Sequence, residues 1–144
     1  MVDESLLKDI KAAQDKGAAA ASPDDMMKVF EFIKQVSIEN EDLKEELEDM
    51  DIAIQMVIND ADKKTWLSVK EGVLDYGEGD VENPSFTMSS NLEVGAGILM
   101  GEVDATSAYM AGDITVEGNL QDAMAFQEII ELALEAYEDL VEDL

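Results

Sequence analysis

Carboxylates are the only chemically able side chains this sequence holds in abundance, and some stand in adjacent pairs, Glu45-Glu46 and Glu138-Asp139. Two carboxylates can share acid and base roles in a reaction. On a helix face of an acidic chain the same pairs read as solvated charge. The run Asp75-x-Gly77-Glu78-Gly79-Asp80-x-Glu82 mixes oxygen donors with glycines, as calcium loops do, but lacks the spacing of an EF-hand. Gly77-x-Gly79 and Gly95-x-Gly97 lack the flanking lysine or third glycine of a phosphate loop. Tyr109 carries a hydroxyl that can orient the polar end of a ligand or can simply pack half-buried. Gln121 and Gln127 are similar candidates.

What is missing narrows the chemistry further. The chain has no histidine and no cysteine, and all nine basic residues are lysine. Serine-histidine and cysteine-histidine catalysis, thiolate or imidazole metal sites, and arginine clamps are therefore excluded. No cofactor is expected. Net charge is −26, and residues 71–144 carry 18 acidic side chains with no basic one. Nucleic acid needs Lys or Arg to replace its counterions, so it is excluded as a partner. Anionic lipid surfaces are disfavoured for the same reason. No apolar run approaches the ~20 residues of a membrane span, and the N-terminus lacks signal-peptide order. The expected location is the cytoplasm, with no stable membrane insertion.

The elements that would position these residues are legible from periodicity. At 144 residues and 47% apolar content, one folded domain is expected. Residues 3–16 form a short amphipathic helix carrying Leu6, Leu7 and Ile10, and the alanines 18–21 read as helix or tether. Residues 1–22 are thus an N-terminal extension to a domain over 23–144. Ser22-Pro23-Asp24-Asp25 starts a helix that buries Met26, Val29, Phe30, Ile33 and Val36, and Asn40 caps another. The period then falls to two. Ile52, Ile54, Met56 and Ile58 share one strand face. Residues 64–70 and 73–76 form a hairpin about Glu71-Gly72, and 85–88 a fourth strand.

Strands one to four are read as hairpin-like neighbours. A short glycine-containing helix follows over 91–100, its two glycines allowing close approach to the sheet or to a ligand. Asp104 caps a further turn. Ile114 and Val116 then face one side of a fifth strand, and Leu120 opens a long closing helix with Ala123, Phe126, Ile130, Ala133, Tyr137 and Leu140 in a stripe. The fold class is α+β: five strands in a mostly antiparallel twisted sheet, with helices on one face. Nine methionines are spread over nearly every element. Their flexible thioethers suit either core filling or a cavity of variable shape.

The segment Gly101 to Met124, GEVDATSAYMAGDITVEGNLQDAM, resembles the most recognisable stretch of the sterol carrier protein 2 family. Trp66 to Gly72 is similar to its tryptophan-bearing hairpin, and Pro84 to Met88 to the strand before its small helix. The likeness covers about residues 24–143. It implies an apolar tunnel enclosed by sheet and helices, and noncatalytic binding and transfer of sterols, isoprenoids or fatty acyl lipids. Carried over by position, the tunnel implies Phe86, Met88, Leu92, Ala96, Leu99, Tyr109, Met110, Ile114, Val116, Leu120 and Met124 as ligand-binding residues. The closing helix or the 92–100 helix would be its lid. Where many members carry lysines in strand five, this chain reads Asp113-Ile114-Thr115-Val116-Glu117. The alternative is a noncatalytic interaction module with the same fold, acting through its acidic surface on a basic protein partner or as a homodimer.

Overall fold

The computed structural model describes residues 2–144. Helix α1 (Glu4–Lys16) is followed by a short 3₁₀ turn, then α2 (Pro23–Glu39) and α3 (Glu41–Glu48). Strands β1 (Ile52–Ile58), β2 (Lys63–Lys70), β3 (Val73–Glu78) and β4 (Phe86–Ser90) come next. Helices α4 (Leu92–Leu99) and α5 (Ala105–Ala111), strand β5 (Thr115–Gly118) and helix α6 (Leu120–Glu142) complete the chain.

The helix starts follow the sequence signals. Ser22 caps α2 in a reciprocal capping box with Asp25, and Asn40, Asn91, Asp104 and Asn119 each accept backbone N–H bonds at the next helices. Helix α2 runs to Glu39, where Asn40 ends it with its N–H on the Val36 carbonyl, and Ser37 satisfies its hydroxyl on the Lys34 carbonyl at 2.7 Å.

The sheet order is β3-β2-β1-β4-β5. Pairing is antiparallel for β1–β2, β2–β3 and β4–β5, and parallel for β1–β4. This corrects the expectation that β4 neighbours β3. The chain leaves β3, crosses the sheet face that the helices leave uncovered, and enters β4 on the far side of β1. One side chain fixes that path. Gln55 lies on the uncovered face of β1 and is buried. It donates to the carbonyls of Thr65 and Gly79, both at 2.9 Å, and accepts from the Val81 N–H at 2.8 Å. Strand β1 is therefore central, and its nearly continuous apolar run, IAIQMVI, matches a strand covered on both faces.

Ile52, Ile54, Met56 and Ile58 all point to the helix side and are buried. They meet Phe30, Ile33, Leu43 and Leu47, none of which is exposed at all. Tilted and edge-on ring pairs tie α2 to β3 through Phe30–Tyr76 and to α6 through Phe32–Tyr137, with centroids 6.1 and 5.7 Å apart. The Tyr76 hydroxyl donates to Glu31 at 2.6 Å, and burial with that carboxylate pushes its pKa up to about 12. Helix α1 docks by Leu6, Leu7, Ile10 and Ala13, and Gln14 Nε2 donates to the Met100 carbonyl at 3.2 Å.

The glycines of α4 permit close packing, Gly95 against the sheet and Gly97 against the loop that follows and the 3₁₀ turn. A Cβ at Gly95 would stand 3.0 Å from Ser90 Oγ and 3.1 Å from Ile58 Cδ1, and one at Gly97 would stand 2.6 Å from Val103 Cγ2. Helix α4 is consequently wedged into the core, with Gly95 through Leu99 buried, which removes it as a lid.

Candidate functional site: an apolar hollow beside strand five

The solid core ends where β5 begins. Strand β5 has four residues, and in this region only Ile114 and Val116 point under the roof. Helix α5, ATSAYMA, has small residues at five of its seven positions and buries only Ala108, with Tyr109 and Met110 exposed. Helix α6 spans 23 residues and overshoots that short strand. Two long apolar surfaces therefore face side chains too small or too few to meet them. A hollow of about 600 Å³ results, within the range of small-molecule sites. A second void, between α1, α2, α4 and α6, is about 10 Å³, room for about one water.

The hollow's floor is Met88, Ile114 and Val116, and its walls include Ile98, Val103, Ala123, Phe126, Ile130 and Leu134. Its mouth opens at the start of α6, where Leu120 and Met124 are 53% and 68% exposed. Polar groups gather at the rim. Thr106 Oγ1 on α5 donates to Gln127 Oε1 on α6 at 3.1 Å, and Gln127 Nε2 donates to Glu131 Oε1 at 3.2 Å. This chain of bonds joins α5 to α6 across the opening. Asp104 accepts from the Ser107 hydroxyl and N–H at 2.8 and 2.9 Å, which hold its carboxyl below the usual range.

Of the residues singled out from the sequence, Met88, Tyr109, Ile114, Val116, Leu120 and Met124 line the hollow. Phe86, Leu92, Ala96, Leu99 and Met110 do not. Phe86 stands behind the wall, its ring 6.2 Å from that of Phe126. Ala96 and Leu99 face the solid core, and Leu92 packs half-buried against it. Met110 follows Tyr109 on a helix, so it turns about 100° away and is 81% exposed. Most other methionines, among them Met26, Met56 and Met100, fill ordinary core. Gln127 lines the hollow and Gln121 does not. The wall residues Ile98, Val103, Phe126, Ile130 and Leu134 were not singled out as ligand contacts. For Phe126, Ile130 and Leu134 the signal was an apolar surface on α6 broader than one core seam; Ile98 on α4 and Val103 on the loop after it carried none.

The acidic run along β3 and into the loop after it is paired off rather than converged. Asp75, Glu78 and Asp80 meet Lys34, Lys63 and Lys64. Among the described residues no group of three or more acidic side chains is arranged to hold a metal. Trp66 packs on Gly77, where a Cβ would lie 2.7 Å from the indole. No helix of the described residues is long and apolar enough to cross a membrane.

A mixed five-stranded sheet, roofed by helices that leave an apolar hollow beside its last strand, defines the sterol-carrier class of fold. The chain belongs to the SCP-2 sterol transfer family, whose sequence model matches residues 30–131. Lipid binding and transfer is the general activity that this membership carries. No curated protein matches the chain in sequence.

Among solved structures, sterol carrier protein domain 2 of Helicoverpa armigera is 18% identical with a TM-score of 0.61, over 80% of this chain and 94% of that one. Palmitated SCP2L2 from Aedes aegypti is 18% identical with a TM-score of 0.52, over 71% and 90%. The inverting sec-alkylsulfatase Pisa1 from Pseudomonas sp. is 18% identical with a TM-score of 0.53 over 62% of this chain, which spans only 14% of the sulfatase. At these identities the likeness is one of fold.

Proposed function

We propose that this protein binds one lipid-type ligand, of sterol, isoprenoid or fatty acyl kind, in the hollow beside β5 and carries it without chemical change in the cytoplasm. The observation that carries this reading is the hollow of about 600 Å³ under α5 and α6. Each 100 Å² of ligand surface withdrawn from water there contributes about 2.5 kcal/mol, against which the cost of association is set. The palmitated relative from Aedes aegypti supports the acyl option by its ligand. Noncatalytic action is supported by a chain without histidine, cysteine or arginine. In this reading residues 1–22 are a helical extension and residues 23–144 the binding domain.

Exchange requires an element to move, and α5 is the least anchored, holding only Ala108 in the core. The Thr106–Gln127 bond is its tie to α6. Thr106→Val removes that tie and is expected to speed ligand release about 2- to 10-fold, the equivalent of one lost hydrogen bond, with little change in unfolding temperature. Stopped-flow displacement of a bound fluorescent lipid measures it. An unchanged release rate would assign the opening to another element.

The decisive experiment is organic extraction of the purified protein followed by mass spectrometry. A lipid present at about one per chain is the expected result. No lipid, no uptake of added sterol, alcohol or acyl probes, and salt-sensitive capture by basic proteins would favour the interaction-module alternative.

A further inference from the structure

Tyr137 lies on α6 one step beyond the hollow. Ala123, Gln127, Ile130 and Leu134 line the hollow in steps of four, three and four, and the next step of three is Tyr137. Tyr137 is only 5% exposed, and its ring stands edge-on to Phe32. Its hydroxyl is buried with no hydrogen-bond partner among the described residues. Leaving a buried hydroxyl unbonded costs free energy, so this group calls for a partner that the chain does not supply. Burial and then the Asp15 carboxylate raise its pKa, so the hydroxyl keeps its proton and can donate.

Tyr137 borders the second void, of about 10 Å³, and so does Gln14 of α1. Gln14 Nε2 is taken by the Met100 carbonyl, while its Oε1 has no hydrogen bond among the described residues. A donor and an acceptor therefore border one small space. Ile130 and Leu134 line both this void and the hollow, so these aliphatic side chains are the partition between them. Leu134 is half-buried and leans on Gly101, where a Cβ would stand 3.2 Å from its Cδ1. Turning the Leu134 side chain to another rotamer joins the two spaces.

A space of that size admits one oxygen atom and not a tail. A water and the terminal oxygen of a lipid are alternatives there, and a lipid oxygen that repeats the water's bonds loses nothing by displacing it. An alcohol fits both partners, accepting from Tyr137 and donating to Gln14 Oε1. A fatty acid meets the same condition in its protonated form, the form that burial favours.

We propose that the hollow takes its lipid polar end first: an uncharged terminal oxygen, the hydroxyl of a sterol or long-chain alcohol or the protonated carboxyl of a fatty acid, passes Ile130 and Leu134 and bonds to Tyr137 and Gln14. The tail then lies back along α6 to the mouth at Leu120, roughly 25 Å away at 1.5 Å per residue. The inference rests on the binding reading above and adds the orientation and the polar group of the ligand. It also gives the N-terminal extension a role, since α1 supplies Gln14. Gln14 and Tyr137 both lie outside residues 30–131, which the family model matches, so the subsite is built from the two ends of this chain.

The test uses the full chain loaded with a neutral, environment-sensitive fluorophore bearing an alkyl tail. Hexadecanol and hexadecyl chloride, matched in tail length, compete for it below the concentrations at which they aggregate. The chlorine takes the place of the hydroxyl but forms no strong hydrogen bond. Tyr137→Phe, which removes one oxygen and keeps the ring, is expected to weaken hexadecanol about 2- to 10-fold, the equivalent of one hydrogen bond, and hexadecyl chloride less than about twofold. Its unfolding temperature without ligand should fall by no more than about 2 °C, because no bond within the chain is lost.

Hexadecanol competing equally well in Tyr137→Phe and in the unaltered chain would overturn the proposal. So would equal weakening of both competitors, which marks a packing effect. A selective loss of hexadecanol in Tyr109→Phe and not in Tyr137→Phe would place the polar end at the mouth and overturn it too. If the probe and both competitors fail to bind the unaltered chain, the binding reading falls, and this proposal with it.

Discussion

Ala123→Trp is expected to abolish ligand binding while leaving the fold in place. Ala123 lies near the start of α6, half-buried, and its methyl faces the hollow between Leu120 and Phe126. An indole there enters space that holds no protein atoms, so it fills the hollow without displacing core side chains. Affinity for a fluorescent lipid should fall at least tenfold, roughly 1.4 kcal/mol. The unfolding temperature should move by only a few degrees, about what 1 kcal/mol produces in a domain of this size.

Two comparison variants sharpen the test. Leu99→Trp inserts the same ring into α4, where Leu99 is 1% exposed, and overpacking there costs about 1–3 kcal/mol or more. Met110→Trp changes a side chain that is 81% exposed and should do little to binding or stability. Sequence reasoning pointed to these last two as hollow-filling sites, and the structure moves the test to Ala123. Full affinity in Ala123→Trp would mean that the ligand sits elsewhere.

Gln55→Leu should be the most damaging single change outside the apolar core. The replacement keeps the approximate volume, so packing is not the issue. What goes is a set of three hydrogen bonds in a site only 6% exposed, leaving the Gly79 carbonyl and the Val81 N–H without their partner. Unmet buried groups cost about 1–3 kcal/mol each, and relaxation of the loop towards water recovers part of that, so a net loss of about 2–4 kcal/mol is expected. Urea unfolding followed by circular dichroism reads it directly. Because Gln55 holds the crossover that delivers β4, lipid affinity should fall as well. Gln14→Leu, which removes one bond between α1 and Met100, should cost about 1 kcal/mol and serves as the scale. A loss below about 0.5 kcal/mol in Gln55→Leu would show that the crossover is fixed by its backbone alone.

The elements were legible because each carried a local signal. Ser22-Pro23-Asp24-Asp25 and the Asn and Asp caps fixed helix starts, and the alternation of Ile52, Ile54, Met56 and Ile58 fixed the face of β1. The order of strands was less so. A hairpin between β3 and β4 is the local default, and the parallel β1–β4 pairing depends on Gln55 meeting a loop more than 20 residues later, a contact that periodicity does not encode. For the site, residues quoted from the Tyr109–Met124 stretch mostly reached the hollow, because β5 and the start of α6 make two of its sides. Leu92, Ala96 and Leu99 were as apolar and as well spaced, yet they face solid core. The side on which an apolar stripe finds nothing to touch is settled by partner lengths: four residues of β5 beneath 23 of α6.

That mismatch of lengths has a consequence for how the molecule tolerates change. The hollow is lined by residues from Met88 to Leu134, whereas most of the fully shielded centre, Phe30, Ile33, Leu43, Leu47, Ile54 and Leu67, comes earlier in the chain, with Leu99 and Ile129 joining it from α4 and α6. Rigidity is thus encoded mostly ahead of the stretch that lines the hollow. Substitutions around α5 and β5 can retune the guest while the earlier half keeps the protein folded. Amide hydrogens should reflect the same division, exchanging slowly through α2 and β1 and early through α5 and β5.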